Sequence, residues 1–267
     1  MLRHPHKEGF LAAANKEYSD LERRNTFRVV KLTTAIPKLL PLMWVFTYKF
    51  DDDDYLIKYK ARIVARGDLQ ATQHQDTYAA TLAARSFRAI MAIAAAFDLE
   101  VHQWDAVNAF INSNQEETVY CDNPEGFDRP GMCLLLLQAL YGLRTSPLLW
   151  LKELSSTLRG LGLQRTDEDV CIFQNDWLLV FFYVDDIATL YQTIDLRHLY
   201  KFRDSLYRKY EMRYIGQLRW FLGIRVIRDR KQRKIWLYQD SYIEKINNSF
   251  NLQYMKPARI PMNMEEL

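Results

Sequence analysis

Cysteine is scarce in this sequence, with three among 267 residues (Cys121, Cys133 and Cys171). Their spacing fits neither a disulfide framework nor a zinc site, so free thiols in a reducing compartment are expected. No apolar run approaches the ~20 residues that cross a bilayer, which argues against a membrane-spanning helix. The N-terminal Met1-Leu-Arg-His-Pro-His-Lys-Glu lacks the apolar core of a signal peptide. An intracellular protein is expected, with nucleus and cytoplasm not distinguished. Repeats, low-complexity tracts and Pro/Gly-rich linkers are also missing, which favours one continuous unit over residues 1–267. Net charge is only +3, so bulk charge does not mark a nucleic-acid binder.

What is present is a core. A hydrophobic content of 49% with 13% aromatics excludes a disordered chain. The basic residues are clustered, at Lys58, Lys60, Arg62 and Arg66 and again from Arg225 to Lys234. Such clustering permits a local positive channel on a nearly neutral protein.

Helical spacing of Phe10, Leu11, Ala14, Tyr18 and Leu21 predicts a helix over Glu8–Arg24. Trp44–Phe50 and Tyr55–Ala65 read as a β-hairpin whose tip, Asp51–Asp54, suits a solvated turn better than a metal site. The stripe Phe87, Ile90, Met91, Ala94 and Phe97 predicts a core-facing helix over Ala83–Phe97, followed by a strand from Glu100 to Val107. Asn108–Pro130 reads as mostly loop, Leu134–Leu137 as a short strand, and Ser146–Leu161 as a helix stopped by Gly160 and Gly162. Helices over Leu196–Tyr210 and Gln239–Phe250 flank a hairpin spanning Trp220–Tyr238. Helices alternating with antiparallel hairpins make the class α+β.

Within this frame, Phe181-Phe-Tyr-Val-Asp185-Asp186-Ile187 stands out. Two adjacent carboxylates interrupt an apolar stretch running from Trp177 to Leu190, read as a buried strand or as two strands meeting at a tight turn. Unpaired buried charges cost several kcal/mol each, and Val170–Thr193 contains no Lys or Arg to offset them. Divalent metal ions arriving with a phosphorylated substrate would. Asp105, at the end of the preceding strand, is a candidate third carboxylate, although alone it also fits a capping role.

Seven segments, in order, carry a resemblance. They are Trp44-Val-Phe with Lys60-Ala-Arg-Ile-Val-Ala-Arg-Gly67, Trp104-Asp-Ala-Val-Asn-Ala-Phe110, and Val119-Tyr with Asn123-Pro-Glu-Gly-Phe127. Further on come Leu140-Tyr-Gly-Leu-Arg with Pro147 and Trp150, Tyr183-Val-Asp-Asp-Ile187, Phe221-Leu-Gly-Ile224, and Lys256-Pro-Ala-Arg-Ile-Pro261. In these the sequence resembles the reverse transcriptase domain of Ty1/copia-type LTR retrotransposons, over nearly the whole chain.

The resemblance implies a polymerase right hand with an antiparallel palm sheet packed on helices. Fingers and palm would intermix over about 1–215, with the palm end and a short, partial thumb over about 216–267. It implies an RNA-directed DNA polymerase that adds deoxynucleotides to a primer 3′-hydroxyl on an RNA or DNA template, with no membrane partner and no implied oligomeric state. Asp105, Asp185 and Asp186 would hold two Mg²⁺ ions, with Mn²⁺ an alternative. Strand alternation makes Asp185 and Asp186 unequal, and Asp185 is expected beside Asp105 with Asp186 in support. Lys60 and Arg62, on one face of a strand, would meet the nucleotide's phosphates, with Arg66 a further candidate; a solvated, charge-protected edge is the alternative. Phe110 would exclude a ribose 2′-hydroxyl, or else is a core phenylalanine. Tyr141 and Gly142 would shape the nucleotide pocket. Tyr183 and the segment Trp220-Phe221-Leu222-Gly223 would position the primer end, the alternative for the latter being an ordinary buried hairpin. Arg225–Lys234 would contact template-primer phosphates or form a solvated turn. Trp104, Trp150 and Trp177 are expected to be core anchors.

Three positions depart from the family pattern: Thr145 replaces the usual glutamine, Ala106 follows Asp105, and no glycine follows Gly67 within Asp68–Gln75. None removes a carboxylate. Family members sit within polyproteins, so a stand-alone fragment with a minimal thumb is expected. Two other functions fit the sequence. One is an inactive relic that keeps the fold and binds nucleic acid. The other is a two-carboxylate nuclease, for which His102, the nearest water-activating candidate, faces away from Asp105.

Overall fold

The computed structural model describes residues 5–36, 38–51, 55–70 and 77–255. Helix α1 (Lys7–Arg23) buries Phe10, Ala14, Tyr18 and Leu21, one face at helical spacing. Strand β1 (Phe27–Lys31) follows. Strands β2 (Leu42–Phe50) and β3 (Leu56–Ala65) pair as the expected hairpin, Phe46 opposite Ala61 and Tyr48 opposite Tyr59. Phe10 of α1 packs its ring on Phe46, Tyr48 and Tyr59, so the helix covers one hairpin face. Residues of one strand face recur every second position, which leaves Lys49, Lys58, Lys60 and Arg62 on the other. The predicted acidic tip lies largely outside the described residues, as does Lys256–Pro261.

Helix α2 (Ala84–Ala96) buries Phe87, Ile90, Met91 and Ala94 as expected. Phe97 was expected in the stripe but is 70% exposed, because the helix ends before it and left-handed Asp98 turns the chain away. Next come β4 (Glu100–Ala106), β5 (Tyr120–Cys121), β6 (Met132–Leu136) and helix α3 (Ser146–Gly160). Then follow β7 (Gln164–Arg165), β8 (Ile172–Gln174), β9 (Leu178–Tyr183) and β10 (Asp186–Tyr191). Helix α4 (Leu196–Lys209) leads to β11 (Met212–Gln217), β12 (Trp220–Phe221), β13 (Ile224–Asp229), β14 (Lys234–Tyr238) and helix α5 (Asp240–Ser249).

Mixed α and β structure with antiparallel sheets results. The largest sheet has six strands in the order β11-β4-β10-β9-β8-β7, and β1-β6-β5 and β12-β13-β14 form two smaller ones. The main core lies against the large sheet and includes Phe87, Trp104, Trp150, Phe173, Phe181, Phe182 and Phe221. A second core joins α1, β1, β3 and β6 through Leu21, Phe27, Ile63 and Leu134. Among the described residues no helix is long and apolar enough to cross a membrane. The three cysteines are buried free thiols.

Charge secures α2 at both ends, although the helix carries no cap of its own. At its N-terminus the buried Asp169 carboxylate accepts hydrogen bonds from the Ala83 N–H (3.0 Å) and the Ser86 hydroxyl (2.8 Å). At its C-terminus Arg228 donates to the carbonyls of Leu99 (2.5 Å) and Ala94 (3.2 Å) and to Asp98 (2.7 Å). Arg230 bonds Asp98 and Glu100, and Arg233 donates to the Ala96 carbonyl. Anions at the start of a helix and cations at its end both oppose its dipole. Within Arg225–Lys234, residues 231–233 form an exposed turn, Arg228, Arg230 and Arg233 clasp a helix terminus, and Arg225 pairs with Asp240. Arg228→Ala is therefore expected to cost about 2–3 kcal/mol through orphaned carbonyls and Asp98. At this chain length that lowers the melting temperature by roughly 5–10 °C. Template-primer affinity should stay within about twofold of wild type at fixed salt, because no phosphate contact is lost.

Candidate functional site

Tyr183-Val184-Asp185-Asp186 is the tight turn between β9 and β10. Tyr183 and Asp186 face each other across it, and Val184 adopts a left-handed φ of 55°. A β-branched residue there is a genuine outlier, and hydrogen bonds hold it. The Trp150 indole N–H donates to the Val184 carbonyl (2.6 Å), and the Ala106 N–H donates to the Asp185 carbonyl (2.9 Å).

The sheet register then lines up four side chains. Asp105 on β4 lies opposite Asp186 on β10 and opposite Arg213 on β11, which makes the row Arg213-Asp105-Asp186-Tyr183 across four strands. Directly opposed residues of antiparallel strands share a face. Arg213 Nη1 lies 3.9 Å from Asp105 Oδ2. The basic partner missing from Val170–Thr193 therefore comes from an edge strand. Gln103, two residues before Asp105 and so on the same face, donates its amide to Asp186 Oδ1 (2.9 Å).

Burial, first, and the Asp185 carboxylate, second, hold the Asp105 carboxyl above its ordinary range, while Arg213, Lys60 and Arg62 pull it down. Asp186 is also raised, by burial first, and the Gln103 hydrogen bond partly counters this. All three carboxylates therefore interact: Asp185 raises both Asp105 and Asp186, Asp105 also raises Asp186, and the Gln103 amide engages Asp186. Among the described residues no three His, Cys, Asp or Glu side chains enclose a point where an ion would sit. The donors are hard carboxylate oxygens whose negative charge Arg213 offsets only in part, the chemistry a hard divalent cation satisfies.

Beside this row lies a cation-aromatic cluster. The Arg62 guanidinium sits 4.3 Å from the centroid of the Tyr141 ring, and the Phe110 ring centroid lies 4.7 Å from that of Tyr141. Phe110 belongs to a short turn, Ala109–Asn112, and is 9% exposed. Burial pushes the Tyr141 phenol up to about 12, so it remains a neutral hydroxyl at physiological pH. Burial, with Arg62 and Lys49 adding to it, lowers the Lys60 ammonium, while Glu17 and Asp105 oppose the shift.

A backbone seam fixes the distance between the two groups. The Ala65 N–H donates to the Tyr141 carbonyl (2.7 Å), and Arg144 Nε donates to the Gly67 carbonyl (2.8 Å). A Cβ on Gly67 would lie 2.0 Å from the Gly142 carbonyl oxygen. One on Gly142 would lie 2.1 Å from that of Ala65. Gly142 therefore serves the approach of chain to chain.

Other expected residues lie elsewhere. Arg66 is spent on a bidentate pair with Asp68 (2.9 and 2.8 Å). Phe221 is buried, stacked on Phe87 at 5.1 Å and edge-on to Phe181 at 5.2 Å, so it anchors the core. Trp220, beside it, is 45% exposed, and Leu222-Gly223 form a left-handed turn. Trp104 and Trp150 are buried core residues and Trp177 is half-buried. His102, three positions from Asp105 and hence on the opposite sheet face, contacts Tyr191 (3.1 Å) and Tyr214 (3.3 Å).

Residues 24–264 match the family model described as reverse transcriptase (RNA-dependent DNA polymerase). The chain belongs to this family. Over 272 aligned residues it is 31% identical to the Retrovirus-related Pol polyprotein from transposon TNT 1-94 of Nicotiana tabacum, an alignment covering 98% of this chain and 20% of that polyprotein. The corresponding polyproteins from transposons RE2 and RE1 of Arabidopsis thaliana are 31% and 32% identical over 82% of this chain and 15% of theirs. The chain thus spans a fifth or less of the curated relatives it matches. The Ty1/copia resemblance is borne out. Reverse transcriptases generally use divalent metal ions, and the domain type implies a nucleic-acid template and nucleotide substrates.

Proposed function

We propose that this chain is the polymerising domain of a retrotransposon Pol polyprotein, which joins deoxynucleotides to a primer 3′-hydroxyl on an RNA or DNA template. The observation that carries this is the acidic row, Asp105 opposite Asp186 with Asp185 at the turn, set beside Lys60, Arg62, Tyr141 and Phe110. In this reading the six-stranded sheet is the palm, and β2–β3 with α1 are fingers. The segment from β12 onward is the palm end and a partial thumb.

Asp105 and Asp185 would hold the two Mg²⁺ ions, with Asp186 in support. Bound there, the ions would lower the pKa of the primer hydroxyl and offset charge on the phosphates and leaving pyrophosphate. Arg62, its plane steadied on Tyr141, presents donors to phosphate oxygens, and Lys60 adds a point charge. Tyr183 lies beside Asp186, where the primer end would rest, and Trp220 offers an exposed ring on a neighbouring turn. The nearby Tyr141 ring backs Phe110, so its ring cannot swing aside for a 2′-hydroxyl.

Primer extension on poly(rA)/oligo(dT) with Mg²⁺ tests the reading, with Asp185→Asn as the negative control. Wild type should extend the primer. Equal inactivity in two folded, template-binding proteins would instead favour the relic. The gate has its own test: Phe110→Ala should raise ribonucleotide incorporation relative to deoxynucleotide by roughly 10–100-fold, the range of one lost steric exclusion of ~1–3 kcal/mol. Unchanged discrimination would make Phe110 a core residue only.

A further inference from the structure

We propose that Trp150 is a positioning residue whose indole N–H, hydrogen-bonded to the Val184 carbonyl, aims the Asp185 carboxylate at Asp105. The proposal rests on the polymerase reading of Asp185. Two peptide planes bracket the Cα of Asp185, and each is pinned through its carbonyl oxygen. The plane before it is held by Trp150 (2.6 Å) and the plane after it by the Ala106 N–H (2.9 Å). With both planes fixed, the Cα–Cβ direction of Asp185 is fixed. Release of the first would let the 184–185 peptide rotate, and the left-handed Val184, at φ 55°, supplies a steric reason to do so.

The anchor is itself rigid. Trp150 is 1% exposed, and the Tyr210 ring meets it edge-on at 5.3 Å. The Tyr210 hydroxyl bonds Glu153 Oε1 (3.0 Å) and Thr157 Oγ1 (2.5 Å), both on the same helix as Trp150. That helix begins at Ser146, whose hydroxyl donates to the Leu140 carbonyl (2.6 Å) next to Tyr141. One helix therefore ties the turn that carries Asp185 to the loop that carries Tyr141. Trp104 shows that packing alone does not direct an indole N–H in this core: it is buried too, and its Nε1 has no partner among the described residues.

The decisive variant replaces Trp150 with β-(3-benzothienyl)alanine, which keeps the bicyclic shape and puts sulfur where the N–H was. Three quantities are read: kcat and KM for dTTP on poly(rA)/oligo(dT), Mn²⁺ affinity of the protein by EPR without turnover, and the melting temperature. We expect a folded protein with KM within about twofold of wild type, kcat lowered by ~10-fold or more, and Mn²⁺ binding weakened by ~10-fold, as for other groups that orient metal ligands. A residue that only fills the core would leave kcat and Mn²⁺ affinity within about twofold, and that result would overturn the proposal.

If the variant does not fold, hydrogen exchange of the ¹⁵N-labelled indoles of wild type decides. Trp150 exchanging far more slowly than Trp104, which is also buried but has no indole partner among the described residues, supports the bond. Equal exchange of the two removes it. A wild type that extends no primer refutes the polymerase reading, whereas the Mn²⁺ and exchange readouts still report on Trp150.

Discussion

Asp185→Asn and Asp105→Asn are each expected to lower dTTP incorporation by ~10³-fold or more, equivalent to about 4 kcal/mol of transition-state stabilisation, with template-primer affinity unchanged. Asp186→Asn should cost less, roughly 10–100-fold, because its Oδ1 already serves Gln103 and it acts in support. Asp105→Asn should move stability the other way in metal-free protein. Asp105 is held above its ordinary range by burial and by Asp185. A carboxyl raised in the folded state binds its proton more readily there than in the unfolded chain. Its contribution to stability is complete below the unfolded value of ~3.9 and is lost as pH rises through the raised value. At pH 7 the ionised carboxylate therefore burdens the fold, and Asp105→Asn should melt higher than wild type. The gap should close as pH falls toward about 4. A wild-type rate matched by Asp185→Asn, or an Asp105→Asn protein that melts lower at pH 7 than wild type, would contradict this account of the row.

Much of this was legible in the sequence for a definite reason. The apolar run around Asp185 reads as one buried strand or as two strands meeting at a tight turn, and the structure has the second, with Val184-Asp185 between the paired Tyr183 and Asp186. Strand period two put Lys60 and Arg62 on one face, and Asp105 and His102 on opposite ones. The same rule would also have given Gln103 as a neighbour of the carboxylates, since it stands two positions from Asp105. Arg213 was not legible. Strand β11, Met-Arg-Tyr-Ile-Gly-Gln, is half polar and breaks register between Tyr214 and Gly216, so it carries no clean alternation. The helix-end partners of Arg228, Arg230 and Arg233 were not legible, because a helix C-terminus about 130 residues away in sequence cannot be seen from local pattern. Phe221 was expected either behind the primer end or in an ordinary buried hairpin, and only Phe87 and Phe181 packed against it show how it is buried. Trp150 was correctly placed in the core, but its hydrogen bond depends on tertiary geometry alone.

The largest loss of stability is expected at the seam between Gly67 and Gly142, and the reason is a clash with backbone. A methyl group on Gly67 would sit 2.0 Å from a carbonyl oxygen, and one on Gly142 would sit 2.1 Å from another. Neither neighbour is the end of a flexible side chain, so the two chains must separate. Their separation would stretch the Ala65-to-Tyr141 hydrogen bond and the Arg144 contacts with Gly67 and Asp68. Gly142 would also hold a side chain at a φ of 89°. Overpacking with lost hydrogen bonds is expected to cost about 3 kcal/mol at either site, roughly 6–12 °C in melting temperature. Gly126→Ala and Gly131→Ala separate the causes: both glycines have positive φ, 88° and 72°, but nothing lies within 4 Å of their added Cβ. They should lose only the conformational strain, about 1 kcal/mol. The seam also sets how far Arg62 stands from Tyr141, so whatever Gly67→Ala protein folds should show a raised KM for dTTP at nearly unchanged template affinity. Equal melting temperatures for Gly67→Ala and Gly126→Ala would mean that the chains can part at little cost and that the seam does not hold Lys60 and Arg62 in place.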